Sequence, residues 1–494
     1  MKTQNTQKEI AKNTMDMTNG SIFKSILIFS IPLILGNLLQ QLYNTADSLI
    51  VGNYVGKQAL AAVGSSGMLI YLLSCFFLGA ASGAGILLAQ YYGAKDFKNL
   101  DKALKSTLFI GVVIGLITTV LGVLSAKPLL ILINTSDDVL NDASIYLRLY
   151  FIGIIFNVIY NMASGILNAF GDSKRSLLYL AIASIVNIIL DFVFVKFLNL
   201  GIAGAAIATD ISQFISSTLA LIYLAKTTLP YKVNIFKAKP DFDMCIRILK
   251  IGLPTAIQNA VIAFSNVLIQ AGVNSYGTNA TAGFAAYMKV DGFNILPILS
   301  FSLAATTFVG QNIGAKRKDR VYKGMWAVLF MGIIYTCTIT VIMLAFSRQI
   351  IGLFSNDENV IYYGILSIKA LAPFYACLCI CHSLAGTIRG TGNTFAPMVI
   401  MLLSLCLFRI FWILTIAKRF NSMWGVLLTY PTSFVVCAVL MIALTVYIFN
   451  TPWARNPPPL NECRWWDELR ITRHFLLHII AIRTFVWLLC NLIV

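Results

Sequence analysis

Long apolar runs, broken by short polar stretches, fill the chain from one end to the other. Each run has about 20 or more residues with few charges, enough to cross a bilayer as a helix. The polar breaks between the runs predict twelve helices, at 25–50, 59–91, 102–126, 143–166, 175–197, 202–225, 246–274, 280–311, 323–346, 360–385, 395–417 and 424–449. The pattern is that of an all-α polytopic membrane protein. It divides the chain into a polar head (1–24), a first six-helix lobe (25–225), a basic linker (226–245), a second six-helix lobe (246–449) and a tail of different composition (450–494).

The two lobes read as copies of one another. A shift of 221 or 222 residues lays Ile31-Pro32 on Leu253-Pro254, Asn37 on Asn259 and Arg148 on Lys369. The same shift matches Gly165 and Gly171 with Gly386 and Gly392, and Gly204 with Gly425. It also lays Gln90-Tyr91-Tyr92-Gly93-Ala94-Lys95 on Gln311-Asn312-Ile313-Gly314-Ala315-Lys316. One register held across so long a stretch marks an internal duplication. Six helices per copy is an even number, so both copies cross the membrane in one direction. A pseudo-twofold axis along the membrane normal should then relate them, with the cleft between them as the expected substrate site. The glycine of the repeated Gln-x-x-Gly-Ala-Lys falls where helices 2 and 8 end. A residue of left-handed conformation is expected there, which glycine adopts without strain.

Composition agrees with a bilayer setting. Of 494 residues, 58% are hydrophobic and only 12% are charged, against roughly 25% charged in ordinary soluble domains. The formal charge of +17 could signal nucleic-acid binding, but no water-soluble basic face accompanies it. Its distribution gives another reason. Twenty-two lysines and arginines fall on the head and alternate loops of one side, and six on the other. The positive-inside rule makes the first side cytoplasmic, with both ends of the twelve-helix body there. A multi-pass protein of the plasma (inner) membrane is expected, in contact with lipids, acting as a monomer and without nucleic-acid partners. The first apolar run is too long for a signal-peptide core. The ten cysteines show no disulfide framework,.

Ionisable groups inside spanning helices are costly, about 2.5–3.5 kcal/mol each, and so point to function. The acids so placed are Asp47, Asp191, Asp210 and Asp291. Asn187 and Asp191, four apart, share a helical face. Counted inward from the outer boundary at 1.5 Å per residue, Asp191 lies at roughly 7 Å, Asp47 at roughly 5–8 Å and Thr209 at roughly 10 Å. Three helices of the first lobe thus bring two carboxylates, an amide and a hydroxyl to similar depth. Such hard oxygen groups suit H⁺ or Na⁺. An aspartate near a helix end is often merely interfacial, and Asp210 alone supports either reading. Asp291 and Gln258 are candidates for lining the substrate cleft. Arg148 and Lys369 read as side chains reaching for the outer interface. Cys377, Cys379 and Cys381 point to different sides of their helix and read as packing, as do His474 and His478 in the tail. The end of the tail, Phe475 to Val494, reads as a short interfacial helix.

The segment Tyr43-Asn44-Thr45-Ala46-Asp47 with Val51-Gly52 resembles the multidrug and toxic compound extrusion (MATE) transporters. So do Val309-Gly310-Gln311 with Gly314-Ala315, and Arg389-Gly390-Thr391-Gly392-Asn393. The resemblance covers about residues 20–450. It implies a secondary active antiporter that exports organic, cationic or amphipathic compounds (xenobiotics and drugs among them) in exchange for H⁺ or Na⁺, by alternating access. By the same resemblance the cation-coupling residues are Asp47, Asn187, Asp191 and Thr209, with no cofactor and no metal beyond Na⁺ at that site. Helices 7 and 10 lack the acids that one branch of the family carries there, so the chain is more similar to the DinF-like branch coupled through the N-lobe. Pro32, which cannot complete a backbone hydrogen bond, marks an expected bend in helix 1. An alternative transporter of related plan is a lipid-linked saccharide flippase, which twelve helices and an acidic first lobe argue against. An enzyme is not expected, because the twelve-helix body holds one histidine, His382, and no convergent catalytic set,.

Overall fold

The computed structural model describes residues 15–227, 232, 239–420 and 422–450, together with Thr472, His474 and Phe475. The tail helix expected at 475–494 lies outside them, apart from Phe475. Twelve helices are long and apolar enough to cross a membrane. In chain order they are α1 (Ile22–Tyr54), α2 (Lys57–Gly93), α3 (Phe97–Leu132), α4 (Asp137–Ala169), α5 (Ser173–Phe197) and α6 (Gly201–Lys226). The second set is α7 (Phe242–Asn274), α8 (Thr278–Gly314), α9 (Lys318–Ala345), α10 (Glu358–Gly390), α11 (Phe395–Arg419) and α12 (Met423–Asn450). All twelve predicted helices are present. Most run several residues past the apolar run that revealed them, because side-chain caps, not the end of hydrophobicity, set several of the boundaries. Ser21 caps α1, Asp96 caps α3, Asp172 caps α5 and Asp357 caps α10, each accepting from a backbone N–H of the first turn,.

The chain forms two compact units. One comprises Met1–Ala260 with Gly292–Ala327, the other Val261–Asp291 with Val328–Val494. In the first unit α4 is central, packing along α2, α3 and α6, while α1 packs on α5 and α5 on α6. Small residues permit the close approach. On α3, Cβ atoms at Gly111, Gly115 and Gly122 would stand 2.9, 2.8 and 2.4 Å from Met162, Ile155 and Phe151 of α4. Leu116, Ile117, Val120, Leu121 and Leu124 of α3 are exposed, the apolar outer face that a lipid-facing helix requires. In the second unit α12 packs against the latter part of α10 and against α11. A short 3₁₀ turn, Ala372–Phe374, interrupts α10 at Pro373, and Thr340 Oγ1 of α9 donates to the Ala372 carbonyl at 2.7 Å. α5 and α11 both loosen into π-helical turns, at Phe192–Phe197 and Trp412–Ile416. These turns fall at matching positions of the repeat.

Backbone geometry repeats as well. Left-handed residues recur in register: Gly56 and Gly277 (φ 120° and 92°), Lys95 and Lys316 (57° each), and Gly171 and Gly392 (75° and 99°). This corrects one expectation. At the two Gln-x-x-Gly-Ala-Lys helix ends the left-handed residue is the lysine, not the glycine. The glycines serve close approach instead: a Cβ on Gly93 would stand 1.9 Å from the Gln311 carbonyl oxygen, and one on Gly314 would stand 1.9 Å from that of Gln90. The duplicated motifs meet reciprocally, backbone against backbone.

Candidate functional site

α1, α5 and α6 are mutual neighbours in the first unit, and this neighbourhood assembles the predicted oxygen groups. Asn187 Nδ2 donates to Thr209 Oγ1 at 3.4 Å, and Thr209 Oγ1 donates to the Ala205 carbonyl one turn back on α6 at 3.1 Å. Asp191 lies one turn beyond Asn187 and is fully buried, while Asp47 of α1 is buried within electrostatic reach of it. Asp191 ends the regular part of α5, immediately before the π-helical turn, a feature common at functional positions. Both carboxyl oxygens of Asp191, Oδ1 of Asp47 and Oδ1 of Asn187 are buried and accept no hydrogen bond from any described residue. Buried oxygens without donors are rare and costly. A set of them on two neighbouring helices, α1 and α5, is the donor chemistry that a proton or an alkali cation satisfies,.

Three tyrosines and a third acid lie near this set; the acid, Asp210, is one of the candidates named from the sequence, and the tyrosines are not. Tyr43, one turn before Asp47, feels both Asp47 and Asp191, and Tyr146 of α4 feels Asp47, Asp191 and Asp210. Tyr150 stacks on Tyr146 with ring centroids 6.3 Å apart. The i, i+4 spacing of Tyr43 with Asp47, and of Tyr146 with Tyr150, was the available signal. Asp210 does not join Asn187 and Thr209. Its carboxyl group lies over Gly153 of α4.

The two residues named for the substrate cleft fall in different units. Gln258 of α7 is buried in the first, and its Oε1 accepts from no described donor. Asp291 of α8, in the second, accepts at Oδ1 from the Tyr287 hydroxyl at 3.1 Å and the Tyr375 hydroxyl at 2.5 Å, and these hydroxyls are 3.0 Å apart. Arg148 and Lys369 have exposed side chains. Cys381 is buried with its Sγ 3.5 Å from the Phe434 carbonyl. No group of three His, Cys, Asp or Glu residues suited to a metal exists among the described residues.

The family model MatE matches the chain twice, over residues 32–193 and 254–414. The chain belongs to the MatE family. The two matches begin 222 residues apart, so the duplication is that of the family unit itself. The MATE members are membrane transporters, not enzymes, and this chain is a twelve-helix, multi-pass example. A relative named "Probable multidrug resistance protein YpnP", from Bacillus subtilis, is 32% identical over 81% of this chain and 88% of its own length. "Probable multidrug resistance protein NorM" of Thermotoga maritima is 28% identical over 78% of this chain and 83% of its own. A solved MOP superfamily transporter from Pyrococcus furiosus superposes with a TM-score of 0.82 at 21% identity, covering 87% of this chain and 96% of its own. An outward-facing multidrug resistance MATE transporter superposes with a TM-score of 0.81 at 21% identity, over 87% and 96%. These likenesses carry the twelve-helix, two-lobe MATE fold.

Proposed function

We propose that this MATE transporter is a secondary active antiporter that exports organic, cationic or amphipathic compounds in exchange for H⁺ or Na⁺. The names of its relatives support multidrug efflux as the setting. The observation that carries the reading is the buried oxygen set of Asp47, Asn187, Asp191 and Thr209, in which Asp191 has both carboxyl oxygens without a donor among the described residues. The ion enters as a substrate of the exchange, and no resident cofactor is needed. Asp47 and Asp191 receive the proton or the Na⁺, Asn187 and Thr209 supply neutral oxygens, and the bound ion changes the charge that α1 and α5 share. A ligand shifts a conformational equilibrium only through unequal affinity for its two states. Here the ion favours one state of the repeats at 25–225 and 246–449, and the exported compound favours the other. The protein works as a monomer in the inner membrane, with both ends of its twelve-helix body in the cytoplasm.

The test is ethidium efflux from vesicles under separately imposed H⁺ and Na⁺ gradients. The wild type should respond to at least one gradient, and Asp191→Asn should abolish that response. Undiminished gradient-driven efflux by Asp191→Asn overturns the assignment.

A further inference from the structure

A second charged centre lies in the other unit, on a helix with no buried acid. Arg409 of α11 is 2% exposed and stands between the π-helical turns Leu403–Leu407 and Trp412–Ile416. Its Nε donates to Ser433 Oγ at 2.9 Å and its Nη1 to Asn266 Oδ1 at 2.9 Å. The guanidinium carbon lies 4.7 Å from the ring centre of Tyr430 and 5.5 Å from that of Phe434. Every one of these partners is neutral.

A guanidinium carries five N–H donors in a planar fork and keeps its charge in any protein setting. Two donors are used, so three have no acceptor among the described residues, and no described carboxylate pairs with Arg409. The aromatic faces offset part of the burial cost, but they take the place of no acceptor for the three remaining N–H donors. Among the acids of the same unit, Glu358 pairs with Arg348 and Asp291 is engaged elsewhere. Asp291 is held by Tyr287 and Tyr375. A run of aromatic rings joins the two groups: the ring centres of Tyr430 and Phe284 are 6.4 Å apart, and those of Phe284 and Tyr287 are 5.8 Å apart. The unit keeps the Arg409 guanidinium and the Asp291 carboxyl group apart, each contacted by tyrosines.

We propose that Arg409 is the anchor of an anion-binding site, its free N–H donors taking the carboxylate of a zwitterionic ligand or a small inorganic anion. Carboxylate geometry matches the guanidinium fork, and such charge-assisted bonds are the strong ones. The proposal rests on the efflux reading for its physiological ligand, but its test needs no ion gradient.

The probes are rhodamine 110, which carries a free carboxylic acid, and rhodamine 123, its methyl ester. Binding of each to the purified full chain is followed by fluorescence anisotropy. The wild type should prefer rhodamine 110, and Arg409→Gln should reduce the preference ratio by about tenfold or more, the scale of one charge-assisted hydrogen bond. Arg409→Lys should retain part of it, because charge remains while the fork is lost. A parallel melting series in rising sodium chloride, run on the wild type and on Arg409→Gln, separates the sources. Chloride stabilisation that Arg409→Gln removes, without dye preference, assigns the site to an inorganic anion. A dye preference unchanged in Arg409→Gln, or absent from the wild type without chloride stabilisation, overturns the site. Failure of Asp191→Asn to alter ethidium efflux leaves these binding results standing on their own.

Discussion

Gly153 of α4 supports the carboxyl group of Asp210 of α6: a Cβ on Gly153 would stand 2.0 Å from Asp210 Cγ and 2.1 Å from its Oδ1. The acid is seated in a slot that exists only because position 153 has no side chain. Gly153→Ala must displace the carboxyl or part the two helices, an overpacking cost of about 1–3 kcal/mol. Gly153→Ala/Asp210→Ala should recover much of that loss, since the clash is removed. A double-mutant cycle on melting temperature in detergent measures the coupling, and simple additivity would rule out the contact.

Gly93 and Gly314 should behave as a matched pair. Each would place a methyl carbon 1.9 Å from the carbonyl oxygen of the other repeat's glutamine, and backbone cannot yield as a side-chain tip does. Gly93→Ala and Gly314→Ala should therefore both lower the yield of monodisperse protein sharply. Gly67→Ala, in the same helix as Gly93 with nothing within 4 Å of its added Cβ, should be neutral or gain about 0.5–1 kcal/mol from helix propensity. Size-exclusion profiles of the three variants check this ordering.

Arg320 ties the segment before α1 to α8 and α9. Its guanidinium donates to the carbonyls of Met17, Asn19 and Gly20 and to Asn312 Oδ1, while Gln311 accepts from the Met17 N–H and donates to the Ala169 carbonyl. Arg320→Ala removes hydrogen bonds from a charged donor worth about 1.5–3 kcal/mol each. Amide exchange across Met17–Ser21 should rise by at least about tenfold, since each 1.4 kcal/mol is a factor of ten in opening. Arg320→Lys should not restore protection, because one ammonium cannot span the same four acceptors.

Thr209→Val tests the neutral part of the oxygen set. It keeps the volume while removing the hydroxyl that Asn187 donates to at 3.4 Å. Gradient-driven efflux should fall by about tenfold, in line with one lost buried polar contact, with less change in melting temperature than Gly153→Ala produces. Efflux equal to wild type would remove Thr209 from the ion's path.

Much of this protein could be read along its sequence. Spanning helices announce themselves as apolar runs, and a duplication is a fixed offset between identical letters; both are linear properties of the chain. Asn187 and Asp191 could be paired from spacing alone, because four residues is one helical turn. Which helix faces which is another matter, since it depends on close packing between residues far apart in sequence. Only the tertiary structure seats Asp210 on Gly153, explains Gly93 and Gly314 by contact where their place at a helix end suggests a turn, and surrounds Asp47 and Asp191 with Tyr43, Tyr146 and Tyr150. It also reveals Arg409, whose charge is plain in the sequence of α11. Its lack of a carboxylate among the described residues follows from the arrangement of α7, α11 and α12, which no local period encodes.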